Sequence, residues 1–332
     1  MSVSLSIDTL GAPGLQRVLV TGANGFVGRV LCAELGARGV AVTAVTRNAD
    51  EVEGATRVCA VGDFTIMADW RPWLAEVDAV VHLAALTHDG TRGADGARFQ
   101  AVNVDVSRRL AEAALACGVR RFVYLSSIKV NGESSTRADG RLHAFSGADT
   151  PMPADEYGRS KLVAEQTLAA LWYSAVGALT ILRPPLVYGP GHKGNLPRLM
   201  NFVARGWPLP FGAIANRRSV IYVDNLVAAI VSALGIATPG VRRYTVADVD
   251  ISTATLVRAL ARGLGVEAHL VAVPAMLLRG LARLPIIGGS LRRLTDSLVV
   301  DARAITNELD WRPRIAFNDA IAITCAAWRA TQ

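Results

Sequence analysis

Short apolar runs alternate with longer amphipathic stretches along the first half of the chain. Six runs have the length and the β-branched content of buried strands: residues 18–20, 40–45, 58–61, 79–82, 121–125 and 179–182. Between several of them, apolar residues recur at helical spacing, most clearly in residues 26–35, 99–116 and 157–172. Strands that alternate with helices imply right-handed crossovers, so the pattern predicts an α/β protein whose parallel sheet is covered on both faces.

The character of the chain changes after about residue 184. Prolines and glycines cluster in residues 183–191 and 207–212, and the helical patterns that follow are shorter. We therefore predict a Rossmann-type doubly wound parallel sheet with a smaller C-terminal substrate-binding region. The predicted boundaries are a flexible N-terminal extension over residues 1–14, a dinucleotide-binding domain over 15–183, and a mainly substrate-binding region over 184–332 with some segments that return to the Rossmann domain.

One apolar stretch, residues 276–294, contains four arginines and has two interpretations. Its composition is that of a segment that touches a membrane surface. Pro285 and the Gly288-Gly289 pair favour instead a packed helix with interruptions, and we prefer this second interpretation.

Composition and charge narrow the class of protein. Of the 332 residues, 51% are apolar and 19% are charged, which excludes a disordered chain. The net charge is +7, but no basic run stands out, so an anionic small molecule is a better partner than nucleic acid. The cysteines are scattered, and we recognise no secretory leader, which predicts a cytoplasmic protein. No apolar run is long enough to span a bilayer, so we expect no transmembrane segment. The histidines show no metal-ligand spacing, and we expect no metal.

The first predicted strand ends in a glycine-rich turn, Thr21-Gly-Ala-Asn-Gly-Phe-Val-Gly28. Glycines at these spacings let the backbone approach a pyrophosphate, and the N–H groups at the start of the next helix attract its negative charge. The turn therefore predicts a dinucleotide site. The residues expected to contact the cofactor here are Gly22, Asn24, Gly25, Phe26, Val27 and Gly28.

The end of the second strand indicates which dinucleotide is bound. An acidic residue at this point binds the ribose 2′-hydroxyl of NAD, whereas this chain has Thr46 followed by Arg47. Because Arg47 can pair with a 2′-phosphate, NADP is favoured over NAD. Asp63, after the third strand, is placed to meet the adenine amino group.

Taken together, the motifs resemble those of the extended short-chain dehydrogenases/reductases, the NAD-dependent epimerase/dehydratase family. The likeness is carried by the glycine turn, Val80-Val-His-Leu-Ala-Ala85, Asn103, Ser126-Ser127, Tyr157-Gly-Arg-Ser-Lys161 and Arg183-Pro-Pro-Leu-Val-Tyr-Gly189. Within the family, the chain looks closest to bacterial UDP-sugar 4-ketoreductases that form UDP-N-acetylquinovosamine and to UDP-glucose 4-epimerases. The resemblance also implies cofactor contacts from Leu83, Ala84, Ala85, Asn103, Ser126, Tyr157, Lys161 and Pro184.

Three residues are candidates for the catalytic chemistry. Tyr157 and Lys161 lie one helical turn apart, and a nearby ammonium is expected to lower the pKa of the phenol towards a useful range. The hydroxyl of Ser127 can hold the substrate oxygen while hydride is exchanged with the nicotinamide. The resemblance implies the same roles and assigns the nicotinamide ribose to Lys161. His82, at the end of an apolar strand, is expected to be a hydrogen-bonded core residue.

Substrate contacts are expected mainly from the C-terminal region. Resemblance to UDP-hexose 4-epimerases implies that Asn195 and Arg218 bind the nucleotide diphosphate and that Phe211 lines the uracil pocket. The remaining candidates are Thr87, Ser127, Lys129, Tyr157 and Leu196.

The chain departs from the family at two places. Leu186 replaces the usual asparagine, and Ile128-Lys129 replaces the acidic pair of sugar-nucleotide dehydratases, which disfavours dehydratase activity.

Several functions fit these residues. The leading hypothesis is reduction of the 4-keto group of a UDP-(6-deoxy)-hexose, with NADPH as hydride donor and Tyr157 as acid. The first alternative is a UDP-hexose 4-epimerase with retained NAD. Further alternatives are a 3β-hydroxysteroid-type dehydrogenase, which requires an apolar pocket, and a cofactor sensor without turnover. As in relatives, the predicted helices over residues 99–116 and 157–172 could form a homodimer interface.

Overall fold

A computed structural model of the chain describes residues 15–66, 69–87, 96–192, 194–274, 276–278 and 288–332. The extension predicted over residues 1–14 lies outside these ranges, and so do residues 279–287 of the arginine-containing stretch. In the described ranges the strands are β1 (Arg17–Thr21), β2 (Ala41–Thr46), β3 (Arg57–Ala60), β4 (Ala79–His82), β5 (Arg121–Leu125), β6 (Ala178–Arg183), β7 (Leu186–Tyr188), β8 (Arg218–Tyr222), β9 (Gly240–Thr245) and β10 (Val249–Ile251).

The helices follow the strands in the alternation that the sequence predicts. They are α1 (Phe26–Ala37), α2 (Arg71–Leu74), α3 (Gly96–Phe99), α4 (Val106–Ala116), α5 (Glu156–Trp172), α6 (Asn195–Ala204), α7 (Val223–Leu234), α8 (Thr253–Leu264), α9 (Gly288–Thr295), α10 (Arg303–Leu309) and α11 (Phe317–Arg329). A π-helical turn, Gln100–Asp105, joins α3 to α4 and interrupts the single helix predicted over residues 99–116. Such turns re-aim side chains within a helix, and this one contains Asn103.

The main sheet has the order β3-β2-β1-β4-β5-β6-β9, and every neighbouring pair is parallel. The order reverses between β1 and β4, and ligands of doubly wound sheets bind beyond the carboxyl ends of the strands at such a switch point. The predicted fold class is therefore confirmed.

Both faces of this sheet are covered, as the alternation of buried side chains along β1 requires. Val18 and Val20 pack with α1 and α7 in one core, whereas Leu19 belongs to the core formed with α4 and α5. All three side chains are fully buried. The continuous apolar run of β1 is thus buried on both faces of the sheet. This packing holds the carboxyl ends of β1 and of its neighbour β4 in place.

The chain beyond residue 184 contributes to both halves of the molecule. Strands β10, β8 and β7 form a second small sheet, and α6, α8 and α11 pack around a third core. In contrast, β9 extends the main sheet beside β6, and α7 packs against α1. No helix among the described residues is both long enough and apolar enough to cross a bilayer.

Candidate active site

The glycine turn between β1 and α1 has no room for side chains. Gly22 has a φ of +67°, and a Cβ on it would lie 2.9 Å from the backbone nitrogen of Ala84. A Cβ on Gly28 would lie 2.2 Å from the carbonyl oxygen of Gly22. Gly25 is the N-cap of α1, and no side chain caps the amide groups there. The turn therefore fits a dinucleotide, whose pyrophosphate needs a close backbone approach and a helix start.

Residues at the ends of β2 and β3 lie beside this turn. Arg47 is exposed, and its carbonyl accepts a hydrogen bond from the backbone of Gly62, next to Asp63. The backbone and hydroxyl of Thr65 donate to the Asp63 carboxylate, and these hydrogen bonds lower the pKa of Asp63. Both residues lie where adenosine contacts are expected.

One carboxylate near the turn was missed by sequence reasoning. The side-chain amide of Asn24 donates to Asp50 at 2.8 Å, so an acidic group does lie beside the glycine turn. Asp50 comes four residues after the end of β2, beyond the position at which the acidic residue of NAD-binding proteins is sought. Asp50 was not predicted because it lies too many residues after β2 to match the expected position.

The segment after β4 is held by buried polar groups. The Thr21 hydroxyl accepts from the backbone of Ala84 at 3.2 Å, which fixes Leu83, Ala84 and Ala85 beside the turn. The Asn103 amide accepts from Leu86 N at 2.7 Å and donates to Leu86 O at 3.1 Å and to Ser160 at 2.9 Å. Asn103 thus positions the loop that continues to Thr87, which is exposed.

His82 is a core residue, as predicted. Its Nδ1 lies 2.6 Å from the Thr21 hydroxyl and its Nε2 lies 2.8 Å from the Ser107 hydroxyl, and the side chain is fully buried. Burial and the neighbouring Lys161 lower the pKa of His82 to about 3, so the imidazole is neutral.

The three candidate catalytic residues come together at the ends of β5 and α5. Ser127 begins a short 3₁₀ turn after β5, and Tyr157 is the second residue of α5, whose N-cap is Asp155. The hydroxyl of Ser127 lies beside that of Tyr157 and acts to lower the pKa of the phenol. One turn along α5, the buried Lys161 ammonium donates to the Leu125 carbonyl at 2.8 Å.

The surroundings of Tyr157 do not produce the expected acidification of the phenol. Burial raises the pKa of Tyr157 to about 12, although its hydrogen bond with Ser127 acts in the opposite direction. Burial also lowers the pKa of Lys161 to about 7. The expectation was wrong because desolvation dominates the pKa of both groups. The Lys161 ammonium lies against the Tyr124 ring, 4.6 Å from its centroid.

A buried ion pair supports the helix that carries Tyr157 and Lys161. Glu165 accepts two hydrogen bonds from Arg183, at 2.9 and 2.5 Å, and a third from Ser126 at 2.5 Å. Arg183 also donates to Asn131 at 3.1 Å. This network was not predicted from the sequence. The Ser126 hydroxyl is hydrogen-bonded to Glu165, and the expected contact of Ser126 with the cofactor stays a prediction. The carbonyl of Pro184 likewise accepts from Ile128 N at 2.9 Å, beside Ser127.

Lys129 forms ion pairs within the protein. Its ammonium lies 2.5 Å from a carboxylate oxygen of Asp155 and 2.8 Å from one of Glu133. Because Asp155 caps α5, this cation helps to fix the start of the helix that bears Tyr157.

A cavity of about 420 Å³ in the C-terminal region collects the predicted substrate residues. Asn195, Leu196, Phe211 and Arg218 all line it, and the Arg218 guanidinium donates to the Asp296 carbonyl at 3.0 Å. Its lining also includes Leu186, Arg198, Leu199, Phe202, Leu209, Val220, Ile251, Ser252, Thr253, Leu256 and Leu294. Most of these side chains are apolar.

The adjacent arginine has a different environment. The Arg217 side chain lies outside this cavity and pairs with Asp250 at 2.8 Å. Alternation along β8 separates the two side chains, because successive residues of a strand point to opposite faces. Within the described ranges, no three His, Cys, Asp or Glu side chains form a group that could hold a metal ion.

The sheet, the glycine turn and the Tyr157–Lys161 pair define a Rossmann-type dehydrogenase of the short-chain class. The sequence model of the NAD dependent epimerase/dehydratase family matches residues 18–247. The chain belongs to this family, as the motifs predicted, and is a nucleotide-sugar enzyme of its extended type.

Individual relatives agree with this assignment. The chain is 34% identical to a UDP-glucose 4-epimerase of Vibrio cholerae over 319 residues, which cover 94% of this chain and 95% of that protein. It is 29% identical over 242 residues to N-acetyl-alpha-D-glucosaminyl-diphospho-ditrans,octacis-undecaprenol 4-epimerase of Escherichia coli O157:H7, covering 70% and 67%. The solved structure of MoeE5 with UDP-glucuronic acid and NAD superposes with a TM-score of 0.77 at 27% identity, covering 95% of this chain and all of MoeE5.

Proposed function

We propose that this protein transfers hydride at carbon 4 of a UDP-hexose and acts as a 4-epimerase with retained NAD. The observation that carries the proposal is the grouping of Ser127, Tyr157 and Lys161 at the end of β5 and the start of α5, in a protein whose glycine turn fits a dinucleotide. Two relatives named above are 4-epimerases, and MoeE5 holds NAD and a UDP-sugar together. These facts favour epimerisation over the reductase hypothesis that Arg47 suggests.

The residues divide the chemistry between them. Ser127 donates a hydrogen bond to the carbon 4 oxygen, and Tyr157 takes the hydroxyl proton from it as carbon 4 is oxidised. Tyr157 returns this proton when carbon 4 is reduced from its opposite face. A bound nicotinamide would supply the acceptor and donor of the carbon 4 hydride, and the positive charge of its oxidised ring would favour the phenolate of Tyr157.

Lys161 serves this exchange from a fixed position. Its hydrogen bond to the Leu125 carbonyl holds the ammonium between the end of β5 and the first turns of α5. The Glu165 carboxylate, one turn further, raises the pKa of Lys161 against the effect of burial and so favours the charged amine. A charged amine at this site stabilises an ionised Tyr157 more than a neutral one.

Substrate recognition is assigned to the cavity. Arg218 is the arginine suited to the diphosphate, since its planar guanidinium can form paired, charge-assisted hydrogen bonds. Asn195, at the first turn of α6, supplies an amide beside it, and Phe211 offers a ring to the base.

Cofactor retention tests the proposal directly. The purified protein is denatured, the released nucleotide is identified, and native protein is incubated with UDP-glucose without added cofactor. We expect about one NAD per chain and formation of UDP-galactose, with Tyr157→Phe retaining NAD but giving no product. Absence of NAD together with strict dependence on added NADPH would contradict epimerisation.

A 4-ketoreductase is the second candidate, and the exposed Arg47 at the end of β2 favours it. No carboxylate occupies the position directly after β2 that excludes a 2′-phosphate, although Asp50 lies nearby. The measurement is NADPH consumption with a UDP-4-keto-6-deoxy-hexose, followed by mass spectrometry of the sugar. In a reductase, Arg47→Ala would weaken use of NADPH about tenfold and leave use of NADH within about twofold.

A further inference from the structure

Charge is unevenly distributed along the chain, although no run of basic residues occurs. Residues 195–223 contain four arginines and no acidic residue, and residues 251–295 contain six arginines and one acidic residue, Glu267. The two segments together carry a formal charge of +9 against +7 for the whole chain, which leaves −2 for the remainder. The excess positive charge therefore belongs to the region that builds the cavity.

One exposed side of α6 combines arginines with aromatic rings. Arg198, Phe202 and Arg205 are exposed and recur at helical spacing, so they project from one side of the helix and its C-terminal cap. The ring of Trp207 is 53% exposed and lies 5.4 Å from that of Phe202, which is 40% exposed. Two adjacent aromatic rings thus stand in solvent between cationic groups.

Exposed aliphatic side chains lie in and shortly after a segment that runs beside the one following Trp207. Backbone hydrogen bonds join Leu209 to His269 and Val271, so the segment that contains Val271 runs beside the one that follows Trp207. Val271 is 48% exposed, and Met276 and Leu277 shortly after it are 82% and 62% exposed. We call this set the arginine–aromatic face: Arg198, Phe202, Arg205, Trp207, Val271, Met276 and Leu277.

The chemistry of this face favours an anionic bilayer over other occupants. Aromatic rings settle at the boundary between headgroups and acyl chains, aliphatic side chains enter the apolar phase, and arginines pair with lipid phosphates. Nucleic acid offers phosphates but no apolar phase for Val271, Met276 and Leu277. A second copy of the chain would bring the same arginines to a two-fold interface, where like charges would oppose each other.

We propose that the protein binds the surface of an anionic membrane through the arginine–aromatic face. Arg198 and Phe202 also line the cavity of about 420 Å³, so the bound protein holds the entrance to this cavity beside the lipid headgroups. The proposal does not depend on the reaction at carbon 4, because the hydride-transfer residues lie just after β5 and on α5, outside this face.

Sedimentation with lipid vesicles tests the proposal on the full chain. The test variant is Trp207→Ser/Met276→Ser/Leu277→Ser, which leaves every cavity residue intact. The matched control is Tyr173→Ser, since Tyr173 follows α5 and is 92% exposed. We expect wild type and Tyr173→Ser to sediment with phosphatidylglycerol-containing vesicles, and the triple variant to bind about tenfold less. Turnover of UDP-hexose should be unchanged in all three proteins.

Charge is tested on the same samples. We expect vesicles of phosphatidylcholine alone to bind markedly less protein, and raised salt to reduce binding to the anionic vesicles. Equal sedimentation of wild type and triple variant would overturn the proposal, as would no binding to anionic vesicles. A dimer that dissociates in the triple variant, measured by light scattering, would assign the face to a second copy. Duplex DNA binding that depends on the same three residues would assign it to nucleic acid.

Discussion

The cofactor end of the sheet and the substrate cavity are built on opposite principles. At the cofactor end, polar side chains such as His82, Asn103 and Glu165 are buried, and each is hydrogen-bonded to other protein groups. In the cavity, apolar side chains predominate, and a few polar residues come from elements far apart in the sequence. The cofactor end fixes its polar side chains by hydrogen bonds within the protein, whereas the C-terminal region encloses an open cavity.

This difference determines what a substitution does in each region. Removing a partner from a saturated buried network leaves another group unsatisfied, which is costly wherever it occurs. Removing a polar side chain from the cavity leaves the surrounding contacts intact and changes ligand affinity first. We therefore expect changes at the cofactor end to reduce rate or stability, and changes in the cavity to alter KM.

The largest effect is expected from Tyr157→Phe. The substitution keeps the ring, whose centroid lies 6.2 Å from that of Phe99, and removes the hydroxyl that exchanges the proton. We expect kcat to fall by about 10³-fold or more, with cofactor affinity within about threefold of wild type. Tyr173→Phe, at an exposed tyrosine after α5, is the control. A variant that retained a tenth of the wild-type rate would remove the phenol from the mechanism.

Arg218→Ala should separate the two regions most clearly. We expect KM for the UDP-hexose to rise about 10–100-fold while kcat and cofactor affinity stay near their wild-type values. Arg217→Ala is the matched control, because its side chain pairs with Asp250 outside the cavity. Unchanged KM in a folded Arg218→Ala protein would support the steroid-type alternative, which has no diphosphate to bind.

A third test concerns His82 at the cofactor end and measures the free energy of unfolding as a function of pH. The folded protein keeps His82 neutral down to about pH 3, whereas the unfolded chain takes up this proton near pH 6.5. Above pH 6.5 His82 is neutral in both states, so the folded protein has its full stability there. As the pH falls from 6.5 towards 3, only the unfolded chain takes up the proton, and the free energy of unfolding decreases. His82→Gln cannot titrate, so its free energy of unfolding should fall less steeply between pH 6 and 4, by about 1.4 kcal/mol per pH unit. Denaturant titrations of wild type and His82→Gln at a series of pH values measure the difference.

The sequence was most informative where short-range geometry determines the structure. The strand runs, the glycine turn and the i, i+4 pair Tyr157–Lys161 depend on neighbouring residues, and the structure places the elements as predicted. The inward position of His82 also followed from its place at the end of an apolar strand. Family and fold class could therefore be inferred before any coordinates.

Long-range partners could not be inferred in this way. Asp50 reaches Asn24 across 26 residues, and Arg183 reaches Asn131 across 52, so neither contact has a local pattern. The pKa of Tyr157 was misjudged for the same reason, since desolvation depends on everything that packs around the phenol. The cavity collects the predicted contacts, but its apolar balance comes from residues that carried no motif.

The smallest expected effect concerns Leu186, which lines the cavity where the family usually has asparagine. Leu186→Asn would introduce an amide donor beside the diphosphate site, and one added hydrogen bond of about 1 kcal/mol lowers KM for a UDP-hexose about fivefold. Leu186→Ala is the necessary control, because it removes the same apolar surface without adding a donor. If the cavity binds a diphosphate, Leu186→Asn lowers KM and Leu186→Ala does not. If the cavity binds an apolar ligand, both substitutions raise KM. That result in steady-state kinetics would mean that the cavity binds mainly the apolar part of its ligand rather than a phosphate.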